Sequence, residues 1–171
     1  MSMMRLAGVR PDLAERESRT VFLEKDPAVA TPPPVPPGAY LFDEWYCVEP
    51  GCDCRRVLIQ VYSASAVLLA TISHSFEPPS ENKLIRKQTI LDPLFPQSRW
   101  AIDLMDLFLY VLRIDLAYGA RLVRHYQAVK AAVANPAFSR PGLSHQGQLP
   151  DQRKVTRARR RDKRRRQGKQ R

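Results

Sequence analysis

Residues 40–61 read YLFDEWYCVEPGCDCRRVLIQV, and the rest of the chain is organised around them. The stretch gathers all three cysteines, Cys47, Cys52 and Cys54, together with Trp45, one of two tryptophans. On its N-terminal side, residues 39–47 are rich in aromatic and apolar side chains and predict a strand. On its C-terminal side, residues 56–62 (RVLIQVY) alternate: Val57, Ile59 and Val61 point to one face, and Leu58, Gln60 and Tyr62 to the other. Glu49-Pro50-Gly51 between them is a turn signal, because proline fixes φ and glycine accepts a positive φ.

Further along the chain, Ser63-Ala64-Ser65 is short and polar enough to turn. Residues 66–76 (AVLLATISHSF) make the next strand, so 56–76 reads as a β-hairpin. Residues 77–82 (EPPSEN) break it, residues 87–91 (KQTIL) add a further strand, and Asp92-Pro93 and Phe95-Pro96 mark a loop. From Ser98, an expected N-cap, the period becomes helical. Trp100, Leu104, Phe108, Val111 and Leu112 form one apolar stripe, which predicts a helix over about 98–113. Asp115 caps a second helix over about 115–134, with the stripe Tyr118, Leu122, Tyr126, Val129 and Val133. Its outer face carries Arg121, Arg124 and Lys130, and His125 is expected to lie exposed near them. Asn135-Pro136 ends it. The pattern is α+β: a small antiparallel sheet packed by two C-terminal helices, with disordered termini.

Three segments follow. Residues 39–135 form the Cys-cluster domain, a core of roughly 100 residues that gains from a metal staple. Residues 1–38 read as a flexible lead-in, with a turn or two of helix over 13–22 and the proline-rich run ATPPPVPPG over 30–38. Consecutive prolines favour a stiff polyproline II spacer. The same run offers a PxxP pattern from Pro33 to Pro36, the basis of a protein-interaction scaffold reading with a protein partner. Residues 136–171 read as a flexible linker and basic tail.

The net charge of +11 belongs to that tail. Residues 151–171 carry twelve Lys/Arg against two Asp/Glu, net +10, and leave +1 for the other 150 residues. The segment has no aromatic residue and one valine, so it builds no core. Arg157, Arg159, Arg160, Arg161, Lys163, Arg164, Arg165 and Arg166 suit phosphate, since each cation releases a condensed counterion from a polyanion. RNA, ribosomal RNA included, is the expected partner. The longest apolar run, within 64–72, is far short of the roughly 20 residues that span a bilayer. No apolar run of signal-peptide length opens the chain, so a reducing, cytoplasmic setting is expected.

In that setting clustered cysteines point to metal ligation. The spacing is C-x4-C-x-C, and residues two apart face the same side of an extended chain. The turn at 49–51 brings Cys47 round to Cys52 and Cys54, three soft thiolates of the kind Zn2+ takes at about 2.3 Å. His74, on the strand paired beside them, is the expected fourth ligand. Redox thiols and an iron–sulfur cluster stay open as alternatives. Arg55 and Arg56 lower thiol pKa values, which favours ligation and reactivity alike.

The run YCVEPGCDCRRVLIQV, with LDPLFPQSRWAIDLMDLF and DLAYGARLVRHYQAVK downstream, resembles a group of uncharacterised bacterial proteins. They share the Y-C-x4-C-D-C-R-R cluster and the R-L-x-R-H-Y helix, and some carry a C-terminal SEC-C zinc motif. The resemblance spans about residues 40–133 and implies metal binding by Cys47, Cys52 and Cys54. The SEC-C motif is missing here, since no cysteine follows Cys54.

No glycine-rich phosphate loop occurs, and no catalytic residue is assigned. Asp103 and Asp106 read as an exposed acidic face near a helix N-terminus. The expectation is a zinc-stabilised binding module whose tail contacts nucleic acid. The alternative is a zinc- or thiol-dependent enzyme at the same cysteines.

Overall fold

The structure, a computed structural model, describes residues 2–24, 35–77 and 88–138. In chain order the elements are β1 (Met3–Arg5), α1 (Leu6–Val9), α2 (Pro11–Glu17), β2 (Arg19–Leu23), β3 (Gly38–Cys47), β4 (Arg56–Ser63), β5 (Leu68–Ser75), β6 (Thr89–Leu91), α3 (Ala101–Ile114) and α4 (Leu116–Ala134). The six strands form one antiparallel sheet, with α3 and α4 at its C-terminal end in sequence. This is the expected α+β class.

The sheet order is β1-β3-β4-β5-β6, and β2 pairs with β3 on another part of its length. Register aligns the rows Phe42–Val61–Ala70, Glu44–Ile59–Ile72 and Tyr46–Val57–His74 across β3, β4 and β5. Each row lies on one face because side chains alternate along a strand. Apart from Glu44 and His74, these side chains are almost wholly buried apolar or aromatic groups. This is the face that α3 and α4 cover: the Phe108 ring of α3 meets Phe42 at 5.9 Å and His74 at 5.4 Å, both edge-on. The face expected to hold Val57, Ile59 and Val61 is therefore the core face.

The helices begin close to where the stripes place them. Asp115 accepts a hydrogen bond from Tyr118 N at 3.1 Å and caps α4 as expected. Ser98 acts one turn early: its hydroxyl accepts from Trp100 N at 3.1 Å, and α3 proper starts at Ala101. The two helices are separate elements meeting at Asp115.

Residues 3–23 correct the flexible lead-in expected over 1–38. They form two strands and two short helices, with Pro11 as the first residue of α2. β1 pairs with β3 from Met3↔Cys47 to Arg5↔Trp45, and β2 from Arg19↔Phe42 to Leu23↔Gly38. The two strands thus share one long partner and close its edge. Leu6 and Leu13 are buried in the core. The sequences MMR and RTVFL do not alternate apolar with polar residues, although β2 alternates in burial, and their order comes from pairing with β3. Pro32, Pro33 and Pro34 lie outside the described residues, as do residues 139–171 with the whole basic tail. Among the described residues no helix is long and apolar enough to cross a membrane.

Candidate metal centre

Cys47 is the last residue of β3 and is fully buried. Beyond it the chain reverses at Glu49-Pro50-Gly51-Cys52. Cys52 N donates to Glu49 O at 3.3 Å, and Gly51 takes φ of +70°, a left-handed conformation that favours glycine. The turn carries Cys52 and Cys54 back to Cys47. One sulfur from each of the three lies within 4.8 Å of the others. Cys47, Cys52 and Cys54 are therefore placed to hold one metal ion. All three are free thiols.

α4 braces this loop. Lys130 Nζ donates to the Cys52 carbonyl at 2.7 Å, and the same ammonium lies 5.6 Å from the Tyr126 ring centroid. Tyr126 packs against Phe76 at 5.4 Å, just past the end of β5. Lys130 was expected on an outer, solvated face. It is half-buried instead, because the cysteine loop presents a carbonyl to it.

The thiols differ in acidity. The Cys54 N–H donating to Cys52 sulfur lowers the Cys52 pKa first, and hydrogen bonds from Cys54 and Cys47 and the Lys130 charge add to this. Burial pushes Cys54 up to about 12, and the neighbouring Cys47 and Cys52 sulfurs push the same way. Without a cation Cys52 is thus the more acidic thiol of this pair. A bound divalent cation inverts this logic and deprotonates all three. Three thiol sulfurs gathered this closely form a soft donor set that a metal ion accepts.

His74, the expected fourth ligand, is not among the donors gathered within 4.8 Å. It sits on the core face of β5, opposite Val57. Its Nδ1 and Thr89 Oγ1 share a hydrogen bond of 2.8 Å, and its ring packs edge-on against Phe108 and Phe76. Burial, helped by the Arg56 charge, lowers its pKa to about 4. The expected nucleic-acid contacts at Arg157, Arg159, Arg160, Arg161, Lys163, Arg164, Arg165 and Arg166 lie outside the described residues. Asp103 is half-buried and Asp106 exposed at the start of α3.

A second group of chemistry-bearing side chains was not expected. His125, anticipated on the surface, is fully buried. Its Nδ1 bonds Glu44 Oε2 at 2.7 Å, and its Nε2 lies 3.3 Å from Glu17 Oε2. Tyr46 Oη donates to the same Glu44 oxygen at 2.7 Å. Arg124 pairs with Glu17, and Arg19 Nη1 pairs with Asp115 Oδ2 at 3.0 Å. Burial tends to raise the Glu17 pKa, but the Arg124 charge and hydrogen bonds from His125 and Arg124 outweigh it and hold the carboxyl below its usual value. These contacts tie α2 and β2 to α4. A signal existed in the sequence. Glu44 shares its parity with Phe42 and Tyr46, and His125 falls at the core spacing in Tyr118–Leu122–His125–Val129.

No protein-family model, curated protein or solved structure matches the chain.

Proposed function

We propose that the chain is a zinc-stabilised binding module, with Cys47, Cys52 and Cys54 holding the ion and the arginine-rich segment 157–166 contacting RNA without sequence preference. The convergence of three thiols within 4.8 Å carries the metal reading. The ion acts as a fastener. Bound there, it supplies three metal–thiolate bonds that join the end of β3 to the loop entering β4. Lys130 holds that loop from α4 through the Cys52 carbonyl, so the centre bears on sheet and helix together.

The RNA reading rests on composition. A net +10 over residues 151–171, dominated by arginine, favours phosphate and unpaired bases. A thiol-based enzyme at the same cluster is the second reading, favoured by the lowered pKa of Cys52.

Metal analysis of the purified chain separates the two. About one zinc per chain, lost in Cys54→Ser, supports the fastener. A metal-free chain whose thiols alkylate fast at neutral pH overturns it in favour of thiol chemistry. For the tail, removing residues 151–171 should abolish salt-sensitive RNA binding and leave the fold and metal content intact. RNA binding that survives the truncation overturns the assignment to the tail.

A further inference from the structure

The outward face of α3 is not the polar face that a surface helix ordinarily turns to water. Its exposed residues are Ile102, Asp106, Leu109, Tyr110, Arg113 and Ile114, and four of these six are large and apolar. Ile102 is 62 % exposed, Ile114 59 %, Tyr110 49 % and Leu109 39 %. The opposite side of the helix is already spent on the core through Leu104, Phe108 and Val111. Residues three or four apart on a helix are neighbours, so the six exposed side chains form one continuous strip along α3. Single exposed apolar residues are ordinary on a protein surface, whereas a contiguous strip of them marks a contact.

The two charges in the strip are placed symmetrically. Asp106 and Arg113 are seven residues apart, about 10 Å along the helix, and Leu109 and Tyr110 lie midway between them. Among the described residues neither charge belongs to an ion pair. The Arg113 guanidinium lies 5.5 Å from the Tyr110 ring centroid, which keeps it over the strip. A helix charged in this way is complementary to its own copy turned antiparallel across a two-fold axis at the Leu109–Tyr110 level. Asp106 of each copy then meets Arg113 of the other, and Leu109 and Tyr110 meet their own counterparts across the axis. A parallel pair would instead set Asp106 against Asp106 and Arg113 against Arg113, so the charge order selects the antiparallel arrangement.

We propose that α3 is the contact surface of a homodimer, in which two copies of this chain dock antiparallel through Ile102, Leu109, Tyr110 and Ile114 and exchange Asp106–Arg113 ion pairs. A helix of 14 residues is about 21 Å long. Contact over that length falls short of the roughly 800 Å² per partner of standard interfaces, so the dimer is of the weak, exchanging class. It uses neither the cysteine centre nor the basic tail and is independent of both functional readings.

Sedimentation velocity of the full chain, from about 1 µM to about 1 mM at physiological salt, tests this. A monomer–dimer equilibrium is expected. Asp106→Arg and Arg113→Asp each set like charges opposite one another at two points, and each should raise the dissociation constant at least about tenfold. Both positions are exposed, so far-ultraviolet circular dichroism and metal content should stay as in the parent. Mixed in equal amounts, the two variants regain opposite charges at both points and should form a heterodimer about as tight as the parental dimer. Should either charge reversal fail to fold, Leu109→Lys gives the second reading: it opposes two lysines across the axis and should weaken the dimer at least about tenfold. The proposal is overturned if the parent sediments as a monomer throughout, if the charge reversals or Leu109→Lys dimerise as tightly as the parent, or if the mixture stays monomeric where the parent dimerises.

Discussion

Glu44 and His125 are bonded at 2.7 Å, carboxylate to imidazole, from β3 to α4, and both are buried. The bond joins the middle of the sheet to the middle of the last helix. Tyr46 Oη donates to the same carboxylate oxygen, and Glu17 of α2 lies 3.3 Å from the other ring nitrogen. Removing one partner of a buried polar pair strands the other. His125→Ala should therefore destabilise the fold by about 3 kcal/mol, as should Glu44→Ala. Because each single change already breaks the same bond, the double variant should fall short of the sum by about 1–2 kcal/mol. Denaturant midpoints for the four proteins measure this. An additive double variant would show that the bond contributes nothing of its own.

His74 makes stability depend on pH. Its folded pKa, about 4, lies below the ordinary value of 6.5, since burial and then the Arg56 charge disfavour the cation. Above pH 6.5 the ring is neutral in both folded and unfolded chains, and the full stability is present. Below that value the unfolded chain takes up a proton that the folded chain refuses. Stability therefore falls between about pH 6.5 and 4 and levels off below, by at most about 3 kcal/mol. His74→Gln should flatten that part of the stability–pH curve. An unchanged slope would assign the acid sensitivity to other groups.

The hairpin and the two C-terminal helices are legible because their patterns are local. Val57, Ile59 and Val61 declare a face within five residues, and Asp115 declares a cap against its own helix. The cysteine centre is legible for the same reason, since one tight turn assembles it. Residues 3–23 are not, because β1 and β2 owe their order to a partner strand far along the chain. His125 sits between Arg124 and Tyr126 in a basic helix, so its composition suggests a surface. Its burial depends on a carboxylate 81 positions away. Such pairings leave only a parity or spacing trace. His74 carries the opposite lesson: register beside the cysteine-bearing end does not decide direction, and its ring turns to Thr89 and Phe108.

The unequal acidity of the thiols predicts an order of reaction in metal-free protein. The thiolate is the nucleophile, and the Cys54 N–H, neighbouring thiols and Lys130 favour it at Cys52. Cys54, with its pKa near 12, should react last among the accessible pair. Mass spectrometry of briefly iodoacetamide-treated chelated protein should find Cys52 modified before Cys54. Lys130→Met should slow the Cys52 reaction. Metal should protect both sites. Equal labelling of the two cysteines would show that the hydrogen-bond asymmetry does not persist in solution.

Two glycines separate backbone strain from packing at the centre. Gly51 holds φ at +70° in the turn that delivers Cys52, and a methyl group there would meet nothing within 4 Å. Any cost of Gly51→Ala is therefore conformational. The left-handed region costs an alanine about 1–2 kcal/mol, partly offset by the lower entropy of its unfolded chain, which leaves a loss of about 1 kcal/mol. Gly119 lies within α4, where an added methyl would make ordinary contact with Leu112 Cδ2 at 3.8 Å. Gly119→Ala should instead stabilise by about 0.5–1 kcal/mol through helix propensity. The two variants should shift the melting temperature in opposite directions, by roughly 3–5 °C per kcal/mol in a domain of this size. Only Gly51→Ala should also speed loss of metal to a chelator, because only that residue shapes the turn between Cys47 and Cys52. If Gly51→Ala melts lower but releases metal at the parental rate, the turn serves the fold and the three thiols do not act as one centre.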